Sequence, residues 1–288
     1  NLKFINHQPS QGTDPCHLTV DQSGRFVLVA NFMSGSVCVL PINADGSLGH
    51  YSDFIQHHGS SIDPIRQKSP HAHAVTLDNN GQYAFVPDLG LDRLMNYRFD
   101  PTNGKLEPNA EPWIDITAGS GPRQLVLDSK NEYAYLINEL NSTVMVFQYE
   151  GQAGRLRKIQ TVSTLPEEFD GASTCAEIQI SPSGKFLYGS NRGHDSIVVF
   201  AIDQNDGKLS YVGHKSTQGK SPRHFIIDPD GLFLLVANQD TDNVVVFRVD
   251  PISGKLSDTG HATHVPTPVC IKILPGTLSA TKTSAYTD

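Results

Sequence analysis

Short apolar runs, many alternating with polar residues and rich in β-branched side chains, punctuate the chain at regular intervals, as in Arg25-Phe26-Val27-Leu28-Val29 and Ser196-Ile197-Val198-Val199-Phe200. Alternation with β-branching predicts strands rather than helices. The runs belong to one unit that recurs five times at a spacing of about fifty residues. Each copy opens a strand at Pro15-Cys16-His17-Leu18, Pro70-His71-Ala72-His73, Pro122-Arg123-Gln124-Leu125, Pro222-Arg223-His224-Phe225 or the divergent Cys175-Ala176-Glu177-Ile178. A turn rich in Asp, Gly and Asn follows, then an aromatic-aliphatic strand, a polar segment (Asn31, Asp88, Asn138, Asn191, Asn238) and a β-branched third strand. The fourth strand is announced by a Gly-x-Leu turn, beginning at Gly46, Gly104, Gly154, Gly207 or Gly254. Four short antiparallel strands per unit, repeated radially, predict an all-β fold, the β-propeller.

The two ends extend this reading. Leu2-Lys3-Phe4-Ile5 has the character of a fourth strand, and Pro268-Val269-Cys270-Ile271-Lys272-Ile273-Leu274 that of a first strand. The chain is therefore expected to hold about five and a half blades in a propeller domain over residues 1–276, followed by a disordered polar tail over 277–288. Because a closed ring protects strand edges, an N-terminal blade region is expected to lie outside this chain.

Composition changes the picture modestly. With 288 residues, 24 Gly, 18 Pro and 18% charged residues, the chain suits one large turn-rich domain. No stretch approaches the roughly 18 apolar residues of a membrane-spanning helix. A net charge of −8 argues against nucleic acid or an anionic membrane as partner, while a small anionic substrate could bind where arginines converge. Cys16, Cys38, Cys175 and Cys270 lack CxxC spacing, so neither a zinc site nor a disulfide framework is indicated. Cys16, Cys38 and Cys270 lie in apolar runs, where buried free thiols are expected; that fits a reducing, cytoplasmic compartment.

In a propeller, the first residues of the inner strands and the loops after the second strands converge at one mouth of the central channel. The inner-strand openings supply His17, His71, His73, Arg123, Glu177, Arg223 and His224, and the polar segments supply Asp88, Asn138, Glu139 and Arg192. Turn capping accounts for the repeated Asn31, Asn138 and Asn238, and the repeated Pro marks a strand opening. His71 and His73, at i and i+2, share one strand face, but no third and fourth ligand stand at metal-site spacing, so no metal is expected. His50, His57, His58, His261 and His264 do not follow the repeat and are expected at the surface. Gly-x-Ser-x-Gly, P-loop and HExxH motifs are absent from the sequence. Arginines, one carboxylate and a histidine suit an anionic substrate that needs proton transfer.

The strings Ser69-Pro70-His71-Ala72-His73, Pro87-Asp88-Leu89-Gly90-Leu91-Asp92-Arg93, Gly121-Pro122-Arg123, Asn138-Glu139-Leu140, Ser190-Asn191-Arg192-Gly193-His194-Asp195-Ser196 and Ser221-Pro222-Arg223 resemble the propeller-type lactonases. That family holds bacterial 6-phosphogluconolactonases and fungal carboxy-muconate lactonizing enzymes. The resemblance implies a seven-bladed propeller without cofactor, acting on a sugar or muconate lactone, most directly 6-phosphogluconolactone. By motif it places the catalytic group on Glu139, His73 (or His71), Arg123 and Arg192. In this scheme Glu139 is the base, His73 the alternative base or the acid, and the arginines bind the oxyanion or the substrate's phosphate or carboxylate. His17, His71, Asp88, Asn138, Glu177, Arg223 and His224 are expected to line the substrate site. Muconate cyclisation and a non-catalytic binding scaffold are the alternative readings.

Overall fold

A computed structural model describes residues 3–274, within which twenty strands form five four-stranded antiparallel sheets. The first blade comprises β1 (Pro15–Val20), β2 (Phe26–Asn31), β3 (Ser36–Pro41) and β4 (Asp53–Gln56). The second comprises β5 (Thr76–Leu77), β6 (Tyr83–Asp88), β7 (Arg93–Asp100) and β8 (Lys105–Asp115). The third comprises β9 (Pro122–Leu127), β10 (Tyr133–Asn138), β11 (Thr143–Glu150) and β12 (Arg155–Ser163). The fourth comprises β13 (Thr174–Ile180), β14 (Phe186–Arg192), β15 (Ser196–Ile202) and β16 (Leu209–Ser216). The fifth comprises β17 (Pro222–Ile227), β18 (Phe233–Asn238), β19 (Asn243–Val249) and β20 (Leu256–His264). Each sheet is a simple meander, and β13 contacts both β9 and β17, the first strands of the neighbouring blades, which makes the first strand of a blade its innermost. No helix among the described residues is long and apolar enough to cross a membrane.

The recurring Asp of the first turn has a local cause. Asp21, Asp78, Asp128 and Asp228 each accept two backbone N–H bonds through Oδ1, from the residues four and five positions on, at 2.7–3.0 Å. This side-chain cap closes the turn and starts the second strand. Ser181 does the same more weakly, accepting one bond from Phe186 N at 3.1 Å.

Most of the hydrophobic core lies between blades; a smaller cluster of Val27, Val29, Cys38 and Leu40 stays within the first blade. Phe26, Leu28 and Val37 of the first blade pack with Val86, Tyr97 and Phe99 of the second, and corresponding clusters join the second to the third, the third to the fourth and the fourth to the fifth. Each fully buried side chain of this size contributes about 1.5–3 kcal/mol.

The Gly-x-Leu turn is part of the same seams. Gly104, Gly154, Gly207 and Gly254 all have φ between +61 and +71, and a Cβ on any of them would overlap the ring of Phe26, Tyr83, Tyr133 or Phe186 of the preceding blade. Glycine is required there twice over, for the left-handed backbone and for the ring that covers it.

The chain ends differ from expectation. Lys3–Ile5 forms no strand; instead the Asn6 amide exchanges hydrogen bonds with the backbone of Leu48, at 2.7 and 2.9 Å. Pro268–Leu274 forms no strand either; the Ile271 amide donates to the His224 ring at 3.3 Å. The tail expected over 277–288, and the domain boundary at 276, lie outside the described residues. His57, expected at the surface, is 3% exposed. Cys38 is buried as expected, and so is Cys175, but Cys16 and Cys270 are exposed.

Candidate active site

Glu139 follows β10 at the channel mouth, its amide donating to Gly121 O (2.7 Å) and its carbonyl accepting from Cys175 N (3.1 Å). Its carboxylate receives three guanidinium groups. Oε2 lies 3.1 Å from Arg123 Nε and 3.0 Å from Arg192 Nη2, and Oε1 lies 2.6 Å from Arg66 Nη2. Arg123 projects from β9 at the register shift where Asn138 pairs with Pro122, and Arg192 ends β14, so adjacent blades bring both to the same carboxylate. Both are anchored further: Arg123 Nη1 donates to Ala176 O, and Arg192 Nη2 to Cys175 O at 2.8 Å. Burial alone would raise the Glu139 pKa, but Arg192, Arg123, His73 and Arg66 outweigh it and hold the carboxyl at about 2. Glu139 is a fixed anion, the counter-charge of the arginine cluster.

The two histidines stand beside it. Phe32, directly after β2, stacks on His71 with ring centroids 4.6 Å apart and meets His73 edge-on at 5.3 Å. Phe32 O can only accept, so His71 Nδ1, 3.0 Å away, carries the proton and leaves Nε2 as the basic nitrogen. No side chain among the described residues hydrogen-bonds the His73 ring, and burial, reinforced by Arg123, lowers its pKa well below 6.5. His73 is therefore a neutral imidazole at pH 7. The chain segment bearing both histidines runs tightly over Gly90, where a Cβ would overlap Ser69 O.

Asp88 and Asn138 do not face the channel as expected. Asp88 is fully buried; Oδ1 accepts from the amides of His71 (2.7 Å), Gly90 (3.1 Å) and Leu91 (3.2 Å), and Oδ2 lies 2.6 Å from His57 Nδ1. His57 Nε2 in turn meets the Tyr97 hydroxyl at 3.0 Å, so Asp88 shapes the histidine segment from behind. Asn138 is also fully buried, donating to Thr143 Oγ1 at 2.9 Å across the β10–β11 turn. Its repeat equivalents Asn191 and Asn238 donate to Thr164 O and Thr217 O. Turn capping therefore covers part of the repeat: Asn31, Asn138 and Asn191 bond across their own turn to Ser36, Thr143 and Ser196, whereas Asn31, Asn191 and Asn238 also, or instead, tie the second strand to the connection that leads into their blade.

His17, Glu177 and His224 lie one position further along the inner strands than Arg123 and are engaged there. His17 Nδ1 accepts from Val75 N, and His224 Nδ1 from Ile271 N, both at 3.3 Å, each ring bridging to the next segment inward. Burial, with Lys272 and Arg123 adding to it, lowers both imidazoles to about 4. Glu177 accepts from Gln124 Nε2 at 2.8 Å, and burial pushes its carboxyl up to about 7, against the pull of Arg123, Gln124, Gln179 and Lys272. Glu177 Oε2 also lies 3.7 Å from His224 Nε2. Arg223 occupies the Arg123 position of the fifth blade, and its guanidinium donates to Gln239 Oε1 at 3.4 Å.

Two site residues escape the repeat alignment as first drawn. Arg66 lies in the connection between β4 and β5, outside the repeating unit, so no aligned copy points to it. Phe32 had a usable signal: the position after the polar residue of each unit reads Phe32, Leu89, Glu139, Arg192 and Gln239, and all but Leu89 contact site groups.

A family model described as lactonase, 7-bladed β-propeller, matches residues 1–273. The 6-phosphogluconolactonase of Bacillus subtilis (strain 168) is 38% identical over 273 residues, 95% of this chain and 77% of that protein. A Formosa agariphila protein of the same name is 37% identical, covering 79% of this chain and 65% of its own length. The chain thus spans between about two thirds and three quarters of these curated relatives. Among solved structures, the periplasmic gluconolactonase of Pseudomonas aeruginosa superposes with a TM-score of 0.87 at 38% identity, over 91% of this chain and 74% of that one.

Proposed function

Because the chain belongs to the seven-bladed β-propeller lactonase family, we propose that it hydrolyses a sugar lactone, 6-phosphogluconolactone, to the open-chain acid. The observation that carries this reading is the buried Glu139 carboxylate held by Arg66, Arg123 and Arg192, with His73 neutral and hydrogen-bonded by no side chain among the described residues. The relatives named as 6-phosphogluconolactonases supply the substrate.

In this reading the proton-accepting role goes to His73 rather than to Glu139. Three guanidinium groups leave Glu139 a poor proton acceptor, so His73 takes the part of base. His73 accepts a proton from water as its oxygen attacks the lactone carbonyl carbon. The carbonyl oxygen becomes an oxyanion, neutralised by Arg123 and Arg192. Collapse of the tetrahedral intermediate breaks the ring C–O bond, and the leaving alkoxide takes the proton back from His73. Glu139 stabilises the transient imidazolium and keeps the guanidinium groups in register. The four unpaired cysteines fit a cytoplasmic location.

The test is ring opening of 6-phosphogluconolactone followed at neutral pH beside the spontaneous reaction. Acceleration by the purified protein, abolished in Glu139→Gln, is the expected result. No acceleration above the spontaneous rate overturns the reading, and loss of a muconate's ultraviolet absorbance under the same conditions would favour cyclisation instead.

A further inference from the structure

Arg66 differs from the other two guanidinium groups on Glu139 in ways their shared contact does not require. Arg123 and Arg192 extend from strands, their side chains are 5% and 16% exposed, and each also donates to a backbone carbonyl. The Arg66 side chain is 39% exposed, and its bond to Glu139 Oε1 is the guanidinium's one hydrogen bond among the described residues. Two are locked; the third is held only by the carboxylate.

The backbone that presents Arg66 is fixed all the same. Gln67, fully buried, donates to Leu89 O at 2.8 Å and to Asp92 Oδ2 at 2.7 Å, and Ser61 Oγ reaches the same carboxylate at 2.6 Å. Asp92 also accepts from Gly119 N and Gly121 N, both at 2.7 Å, the segment that leads into Arg123. Asp63 caps the turn by accepting from Ile65 N and Arg66 N. A rigid base thus carries a half-exposed side chain free to turn, and the Glu139 carboxylate keeps Arg123 and Arg192 when Arg66 leaves it.

Charge supplies the reason to turn. One carboxylate is shared by three guanidinium groups, with Arg223 close enough to add to the field they feel. On a chain of net charge −8 this is a local excess of positive charge at the mouth. A lactone ring is neutral and cannot match it, whereas a phosphoryl dianion offers oxygens to a planar guanidinium fork.

We propose that Arg66 reads the substrate's phosphoryl group: on binding, its guanidinium leaves Glu139 Oε1 for the phosphoryl oxygens, which makes Arg66 the residue that selects phosphorylated over unphosphorylated sugar lactones. The proposal rests on the lactonase reading and involves no covalent step.

The experiment compares kcat/KM for 6-phosphogluconolactone and for gluconolactone in the parent protein, Arg66→Ala and Arg66→Lys. The ratio between the two substrates is expected to fall about 10- to 100-fold in Arg66→Ala, the equivalent of one charge-assisted contact, with Arg66→Lys in between. Equal loss on both lactones, or an unmoved ratio, overturns it. A second measurement is independent of turnover: inorganic phosphate is expected to raise the unfolding temperature of the parent and to raise that of Arg66→Ala less. Equal shifts in the two proteins, including no shift in either, overturn the proposal. Should the parent open neither lactone, the lactonase reading fails while the phosphate measurement still decides the role of Arg66.

Discussion

Arg123 and Glu139 meet, at 3.1 Å between Nε and Oε2, because β9 and β10 are antiparallel neighbours whose register shifts where Asn138 pairs with Pro122. Both side chains are about 5% exposed, so neither charge has water to fall back on. Glu139→Gln leaves the guanidinium groups without their anion, and removing one partner of a buried pair costs about 3–5 kcal/mol. The variant is expected to lose at least about 100-fold in kcat and to melt several degrees lower. Steady-state kinetics and thermal unfolding on one preparation check both.

His73→Asn is expected to lower kcat by about 10²–10⁴-fold, the usual contribution of a positioned base, with the unfolding temperature nearly unchanged. Since burial keeps the imidazole neutral, and the neutral form is the one that accepts the proton, kcat/KM should stay flat as pH falls through 6.5. Its decline is expected only well below that value. A pH–rate profile with an acid limb centred near 6.5 would contradict the assignment.

The two buried carboxyls act on stability in opposite directions. Glu139 has a folded pKa of about 2, below the 4.5 of a free Glu, so its stabilisation is complete above pH 4.5 and disappears as pH falls through 2. Glu177 has a folded pKa of about 7, above 4.5, so the folded state binds the extra proton between those values and stability declines as pH rises from 4.5 to 7. Urea midpoints across this range should show that decline shrinking in Glu177→Gln. In Glu139→Gln the loss between pH 4.5 and 2 should shrink instead.

Asp88→Asn tests the difference between a ligand contact and a brace. An amide cannot replace a carboxylate that accepts three backbone N–H bonds and pairs with His57. A loss of about 1–3 kcal/mol in stability is expected. It should appear in the unfolding midpoint and in kcat, through the displaced His71 segment, while KM stays within a few-fold.

Much of this was legible before any coordinates. The blade repeat, its Asp-capped turns and its Gly-x-Leu turns report local backbone demands, and these depend on nearby residues. The catalytic candidates Glu139, Arg123, Arg192 and His73 stood out as departures from the repeat, and the structure brings them to one mouth. Arg66 was hidden because its connection has no aligned counterpart, and its contact with Glu139 spans 73 positions. Asp88 and Asn138 were misread because a polar residue at a loop looks the same whether it faces a ligand or the turn behind it. His57 was misread for a related reason: burial of an isolated histidine depends on Asp88 and Tyr97, which lie in another blade.

Gly154→Ala tests the seam. At φ +61 an alanine is strained by about 1–2 kcal/mol, and its methyl group meets the Tyr83 ring of the preceding blade, adding about 1–3 kcal/mol of overpacking. A drop of several degrees in the unfolding temperature is expected, with KM unchanged in the surviving folded protein.

Those glycine-on-ring seams reach beyond stability. Arg66 hangs between the first and second blades, His73 belongs to the second, Arg123 and Glu139 to the third and Arg192 to the fourth, so no blade owns the site. A seam that parts by an ångström separates charge from counter-charge while every strand keeps its ladder. Loss of function on warming is then expected to come from adjacent wedges drifting apart, before any sheet melts.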